Sequence, residues 1–453
     1  MRQAQLGEFL ARKTRGITPN KMPSELFELY SVPAFDRRVP EIVCGSEVGS
    51  NKQIVVPNTV LLCKINPRIN RAWVVGSVTN HQKIASTEWI TFPPHPDVEP
   101  KFLANFLSQS KIRLYLAANA SGVGGSLTRV KASTVEHLPL SLPSLAEQRR
   151  IVAEIEKQFS RLDEAVANLQ RVKANLKRYK AAVLKAAVEG RLVETEASLA
   201  HREGRSYETG EQLLQRILQE RPKQWTARGR YSEPPPAVCD GLPLLPEGWT
   251  WASIDQISDF VTKGTTPAAQ KLFDDSGDVQ FLKVYNLTFD GTLNHRHKPA
   301  FVSRETHIEE LARSKVRPGD VLINIVGPPL GQVSVVPELL AEANINQAIA
   351  RIRPIAPLGF QFIAMALMCD DVMRWAIRRG KTTAGQANLT LELIRGLPIP
   401  LPPLGEQIRV AAEVDRRLSI LRGVEAEVDA NLQRAQRLRQ STMAKAFAPN
   451  VLV

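Results

Sequence analysis

The chain contains no uncharged apolar run approaching the ~20 residues that span a bilayer. Its opening, MRQAQLGEFLARK, lacks the apolar core of a signal peptide. A membrane-spanning or secreted protein is therefore not expected, and the expected location is the cytoplasm. Cysteine is scarce. Cys44, Cys63, Cys239 and Cys369 lie far apart, and none forms a CxxC. Zinc knuckles, redox motifs and a disulfide framework are disfavoured on that ground. Signatures of catalysis are missing as well. Gly380-Lys381-Thr382 echoes a phosphate loop, but Trp375 stands where the required glycine would be. Asp97, Glu99 and Lys101 superficially follow a nuclease pattern, but Pro100 interrupts the strand such a site needs. His295 and His297 have no third ligand at zinc spacing. The expectation is a chain that does no covalent chemistry itself and holds no cofactor or metal of its own.

What is present is charge and repetition. At ~100–200 residues per domain, 453 residues suggest two to four domains. Lys+Arg 59 against Asp+Glu 46 leaves a net charge of +13. That surplus favours a polyanionic partner, nucleic acid or an anionic membrane surface. It is unevenly spread: residues 1–145 hold 17 basic and 10 acidic side chains, whereas residues 243–405 hold 16 of each.

LPLSLPSLAEQRRI at 138–151 returns as LPIPLPPLGEQIRV at 397–410. Leu138, Pro139, Leu142, Pro143, Leu145, Glu147, Gln148 and Arg150 all recur at an offset of 259. Such self-similarity marks a duplicated structural unit. The prolines make each junction extended. A long helix follows each junction. Ile151, Ile155, Phe159, Leu162, Val166, Leu169, Val172, Leu176, Tyr179 and Val183 step by three or four. So do Val410, Val414, Leu418, Leu421, Val424, Val428, Leu432, Ala435 and Leu438. This is the stripe of a coiled-coil seam, and pairing the two helices antiparallel is the economical way to cover it. Ser144 and Glu147 fit a capping box at the start of the first helix. The second copy has Pro403 at the position of Ser144.

A globular part of mixed pattern precedes each helix. Segments 54–65 and 72–78 read as strands in the first, and 315–327 and 331–337 in the second. Pro57, Val60 and Leu61 match Pro318, Val321 and Leu322 at an offset of 261, so the globular parts are diverged repeats too. The plan is 1–145 globular, 146–193 helix, 194–242 linker with a short helix near 211–220, 243–403 globular and 404–453 helix. Binding residues are sought in predicted loops. In the first part these are Arg37, Arg38, Lys64, Arg68 and Arg71 near Tyr30 and Phe35, then Ser126 of a glycine-rich loop with Arg129 and Lys131 beyond it. In the second they are Lys263, Thr265, Thr266, Lys283, Tyr285, Asn286, Asn324, Gln347, Arg378, Arg379, Lys381 and Thr382. Arginine and lysine suit phosphates and guanine edges, and asparagine or glutamine suits adenine.

This layout resembles the specificity subunit of type I restriction–modification systems over nearly the whole chain. The resemblance rests on the duplicated junctions with their helices, LPEGWTW at 245–251, KGTTP at 263–267 and PGDVLI at 318–323. It implies an α+β fold with a pseudo-twofold internal repeat. Two mixed α/β target-recognition domains, 1–145 and 243–403, would be separated by a long antiparallel two-helix coiled-coil spacer. Each would read one half of a bipartite double-stranded DNA target, asymmetric because the two parts have diverged. The resemblance further implies a non-catalytic chain that joins two adenine methyltransferase (modification) subunits. Restriction subunits would complete the complex. S-adenosylmethionine, ATP and Mg²⁺ would belong to those partners. Glu147, Gln148, Glu406 and Gln407, at equivalent helix starts, become candidate methyltransferase contacts; serving the helix dipole is their other reading. The first half lacks an LPEGW-like opening and a GTTP loop, so the start of its fold is unmarked. A methylation-only system, a stand-alone sequence-specific endonuclease and a protein-binding coiled-coil scaffold are the alternatives. Because the positive charge lies mostly in the first half, neutralising Lys64, Arg68 and Arg71 together is expected to flatten the salt dependence of DNA binding. Affinities measured across a salt series test this, and an unchanged slope would refute the assignment.

Overall fold

A computed structural model describes residues 2–121, 128–223, 230–383 and 386–448. The chain forms two compact units, Met1–Arg171 with Val428–Val453, and Val172–Glu427. The division falls inside both long helices, Leu145–Val188 and Leu404–Ala446.

In the first unit the chain begins with a strand. Arg2–Gln5 pairs antiparallel with Pro139–Leu142, Arg2 opposite Leu142. In the second unit Thr250–Ser253 pairs with Pro398–Leu401 in the same way, Thr250 opposite Leu401. The first globular part therefore opens on the same ladder as the second, although it has no LPEGW to announce it.

The sheets repeat as well. In the first unit Lys52–Ile54, Gln82–Ser86, Leu26–Tyr30 and Glu41–Cys44 lie in that order, with Gly16–Ile17 added at the edge. In the second unit Lys315–Val316, Ala343–Ile345, Val279–Leu282 and Phe301–Val302 follow the same order. The central pair is parallel in both and the outer pairs are antiparallel. A second small sheet also recurs: Ala72–Val74, Val60–Cys63 and Trp89–Phe92 correspond to Val333–Val335, Val321–Asn324 and Ile349–Pro354. The second copy extends this sheet with Ser258–Lys263. Shared topology under diverged sequence arises because strand order needs only apolar alternation and turns, while exposed side chains are free to vary.

The long helices run antiparallel. In the first unit, Arg439 near the end of the second helix pairs with Asp163 at 2.6 Å and lies over the Phe159 ring at 4.3 Å. In the second unit Val183, Leu184, Ala187 and Val188 share one core with Val410, Val414, Leu418 and Leu421. The seam is buried unevenly. Val172, Tyr179, Val424 and Leu438 stay exposed, because a two-helix coil covers only one side of each stripe. The first helix ends at Gly190, whose φ of +68° is the left-handed cap that favours glycine. Arg191 N–H then donates to the Ala186 carbonyl at 2.8 Å. Among its described residues the linker holds two helices, Glu196–Glu203 and Gly210–Glu220; the first was hidden by its charged composition. No described helix is long and apolar enough to cross a membrane.

The repeated Glu-Gln pair sits where extended chain turns into helix. Gln148 is buried and its Nε2 donates to the Pro143 and Asp97 carbonyls at 2.9 and 2.8 Å. Its Oε1 accepts from Glu99 N–H at 2.8 Å. Gln407 makes the equivalent bond, to the Pro402 carbonyl at 2.8 Å. The capping box predicted at Ser144 is only half formed. Ser144 Oγ accepts from Glu147 N–H at 3.4 Å, but the Glu147 carboxylate turns outward to Arg150 at 2.7 Å. Glu406, its counterpart, is buried and accepts from Glu196 N–H at 2.9 Å, so the linker helix sits on the second junction. Burial pushes the Glu406 carboxyl above its ordinary range.

Removing a buried amide that holds three bonds leaves partners unsatisfied. Gln148→Leu should lose about 1–3 kcal/mol of unfolding free energy, and more than Gln407→Leu. Chemical denaturation of the two variants checks the order. Glu406 binds its proton more tightly folded than unfolded. Its contribution to stability is thus present at acid pH and lost as pH rises through its folded value. Glu406→Gln should therefore be more stable than the parent at neutral pH, with the gap closing toward ~pH 4. Melting curves across pH would contradict this if the gap widened on acidification.

Candidate nucleic-acid interface

The candidate residues of the first unit gather at one hairpin. Strand Val60–Cys63 leads through Lys64 into a turn at Pro67–Ile69, flanked by Asn66 and Asn70, both left-handed (φ 47° and 52°). Asn70 Nδ2 fixes the turn on the Leu107 carbonyl at 2.8 Å. Segment 128–130 runs alongside, with Asn66 N–H donating to the Thr128 carbonyl and Val130 N–H to the Lys64 carbonyl. Ser121 and Arg129 exchange two backbone bonds, each 2.9 Å, which brings both ends of the glycine-rich loop beside Lys64. Ser126 itself lies outside the described residues.

The cations here are not equally free. Lys64 Nζ donates to the Thr87 carbonyl at 2.7 Å, and Arg129 grips Glu88 with bonds of 3.0 and 3.2 Å. Arg71 is only 13% exposed at the side chain and faces Asp36 at 3.5 Å. Arg37 is exposed and pairs with Glu41 at 2.5 Å. The Arg38 guanidinium lies 3.8 Å over the Phe35 ring and borders a cleft of about 620 Å³ with Lys101, Arg113 and Arg439. Burial, then the like charge of Arg439, pulls its pKa down. Arg68 stands exposed on the turn. Tyr30 and Phe35 are buried and cannot stack on bases.

The second unit builds an equivalent edge. Lys64 corresponds to Ile325, and the bridge between Ile65 and Arg129 corresponds to one between Val326 and Asn388. The strands Lys381–Thr383 and Gln386–Asn388 pair antiparallel just before this bridge. Lys381 and Thr382 lie on the first of these strands. Arg378 and Arg379 end the helix Asp370–Arg379, exposed, with Arg379 lying 4.2 Å over the Trp375 ring.

The KGTTP loop joins the same edge. A Cβ at Gly264 would lie 2.0 Å from the Ile345 carbonyl oxygen, so only glycine lets the two backbones pass this closely. Thr265 N–H donates to that carbonyl at 3.2 Å, and Thr266 Oγ1 accepts from Gln347 N–H at 3.4 Å. Lys263, Thr265, Thr266 and Gln347 are exposed together. Asn346 N–H donates to the Leu282 carbonyl, which brings Lys283 and Tyr285 alongside. The Lys283 and Lys298 ammonium groups each lie 6.0 Å from the Tyr285 ring centroid, with His297 edge-on to the same ring. Lys298 escaped sequence analysis; its only signal was its place beside His297.

The two asparagines proposed as adenine readers face inward. Asn286 donates to the Asn294 and His297 carbonyls at 3.0 and 2.8 Å and accepts from Lys283 N–H. Asn324 is fully buried, donating to Pro329 and accepting from Val326 N–H. Their amides shape the loops from within. At the helix starts, Gln148, Glu406 and Gln407 are likewise buried, and only Glu147 is available at the surface. The two junctions therefore do not offer equivalent surfaces, because the linker helix covers one of them. Among the described residues no cluster of histidine, cysteine and acidic side chains could hold a metal ion.

No family model matches the chain. It is 26% identical over 355 residues to the specificity subunit of the type I restriction enzyme EcoBI of Escherichia coli, covering 77% of this chain and 66% of that one. It is 23% identical over 350 residues to the EcoKI specificity subunit of Escherichia coli strain K12, covering 76% and 64%. The chain thus spans slightly less than two thirds of these relatives' length. A solved chain from work on complex assembly and conformational transition of the type I R-M system matches with a TM-score of 0.67 at 21% identity, over 99% of this chain and 98% of that one. That likeness speaks to the fold. With the duplicated junctions and the duplicated sheet order, the chain is thus similar in sequence and in fold to type I restriction enzyme specificity subunits.

Proposed function

We propose that this chain is the DNA sequence-recognition subunit of a type I restriction–modification complex. It binds an asymmetric, bipartite double-stranded target and directs adenine methylation and restriction by partner subunits. The observation that carries this reading is the repeat. Two globular parts share a strand order, yet the equivalent loop edges bear different side chains, Lys64 and Arg129 in one and Ile325 and Asn388 in the other. One scaffold bearing two different loop sets suits a ligand with two different halves. Exposed loop cations beside backbone-defined turns suit the phosphate and base-edge contacts of duplex recognition. A helix of 44 residues rises ~66 Å, longer than one duplex turn of ~34–36 Å, and the helix pair is proposed to set the gap between half-sites.

The chain itself is proposed to be non-catalytic. Two modification subunits would bring S-adenosylmethionine, and restriction subunits ATP and Mg²⁺. Exposed Glu147 remains the candidate modification-subunit contact among the four helix-start residues. A stand-alone endonuclease is not favoured by any of the relatives found.

Genome-wide mapping of adenine methylation in cells with and without the gene is the direct test. A split motif should vanish on deletion, and absence of any gene-dependent motif would sink the reading. Replacing residues 1–145 with those of a relative should change one half of the motif and leave the other intact.

A further inference from the structure

A cleft of about 1130 Å³ opens in the second unit at an end of the fold that the recognition loops do not use. Strands Ser258–Lys263 and Ile349–Pro354 pair antiparallel, Lys263 opposite Ala350 and Phe260 opposite Arg353. The KGTTP loop follows Lys263 at one end of this ladder. The cleft adjoins the other end, around Phe260, Arg351 and Arg353.

The lining is strongly basic, with seven arginines and lysines against four acidic side chains. Arg351 and Arg353 are two apart on one strand and so share a face, and Arg313, Lys315 and Arg317 line the cleft from the turn Ala312–Ser314 and the short strand Lys315–Val316 that follows it. Arg353 is satisfied by Asp320, with two bonds of 2.7 Å. Arg313, Lys315, Arg317 and Arg351 make no ion pair among the described residues. Arg351 is the unusual member. It is 5% exposed, its guanidinium lies 4.9 Å over the Phe260 ring, and its Nε has no hydrogen-bond partner among the described residues. Burial is the main cause that holds its pKa down to about 10. A buried cation without its counter-charge is costly, and an anion entering the cleft would relieve it. Asp320 is the one nearby acid whose charge favours the Arg351 cation, but both of its carboxylate oxygens are bonded to Arg353, and the other acids add little. Asp259 is itself pushed toward its neutral form by burial, and Glu342 is engaged by Arg304 and His307.

We propose that this cleft is a binding site for a phosphate-bearing anion, with Arg351 at its floor and Arg313, Lys315 and Arg317 at its rim. Planar guanidinium groups match phosphate oxygens in pairs, and their convergence on one cleft suits one or more phosphates. Two sources share this chemistry: the phosphodiester backbone of duplex DNA, which rests on the recognition reading above, and the polyphosphate of a free nucleotide, which does not.

The test uses the full chain. Calorimetric titration with tripolyphosphate and with ATP is compared between the unaltered protein and the double variant R313Q/R317Q, which changes only exposed rim residues. The affinity of both proteins for duplex DNA is measured across a salt series. A lower log–log salt slope in the variant, by about 2 for two lost phosphate contacts, assigns the cleft to DNA. A loss of tripolyphosphate or ATP affinity of about tenfold with an unchanged slope assigns it to a free nucleotide. If the variant matches the unaltered protein in both measurements, the proposal is overturned. Tripolyphosphate binding that R313Q/R317Q weakens, together with the absence of any gene-dependent methylation motif in cells, would defeat the recognition reading and leave the cleft standing.

Discussion

Everything in each globular part is anchored to one short antiparallel ladder that joins its first strand to its last. Arg2–Gln5 meets Pro139–Leu142, and Thr250–Ser253 meets Pro398–Leu401. The last strand of each ladder runs straight into a long helix, and a buried glutamine fixes the bend. Gln148 and Gln407 donate to the carbonyl five residues earlier, so the prolines that break the helix also present the acceptor that starts it. The direction in which each long helix leaves its sheet is therefore set by a side-chain amide rather than by a flexible hinge. Buried amide bonds of this kind are costly to leave unmade, which is why the junction survives in both copies while the loops around it differ.

That division of labour also organises the electrostatics. The residues that hold the scaffold are neutral or internally paired, and the cations free to meet a partner stand on turns. Arg68 is exposed on its turn, while Arg71, three residues on, is drawn inward to Asp36. The second part has no net charge by composition, yet it gathers local positive surfaces by geometry. Helix end Arg378-Arg379 supplies one, and the cleft around Arg351 supplies another. A zero balance in sequence thus conceals a separation of charges in space, since its acids are engaged by Lys, Arg and His partners elsewhere on the domain.

The two copies are equivalent in topology and unequal in surroundings. At the second junction the linker helix Glu196–Glu203 caps Glu406, and Glu196 itself is held by Arg205 and Arg409 at 2.6 and 2.7 Å. At the first junction Glu147 remains outside, paired only with its helix neighbour Arg150. The same two letters, Glu-Gln, consequently do different work in the two halves. Sequence repetition marked the position correctly and could not foresee the difference, because the covering segment has no counterpart in the other half.

Much of this protein was written in its sequence. The junctions repeat at a fixed offset, their prolines and apolar stripes dictate strand then long helix, and both consequences depend only on local backbone chemistry and periodicity. The start of the first globular part was not legible, since RQAQ carries no strand signature until Leu140 and Leu142 lie beside it. Nor was the fate of individual polar side chains. Asn286 and Asn324 have the right groups to read adenine, but tertiary packing turned them inward to carbonyls that come from 8 and 11 residues away, and from the next loop. Periodicity and covalent chemistry settle which elements form. Which polar atom meets solvent and which meets a carbonyl depends on distances between segments remote in the chain, and only the folded structure fixes those.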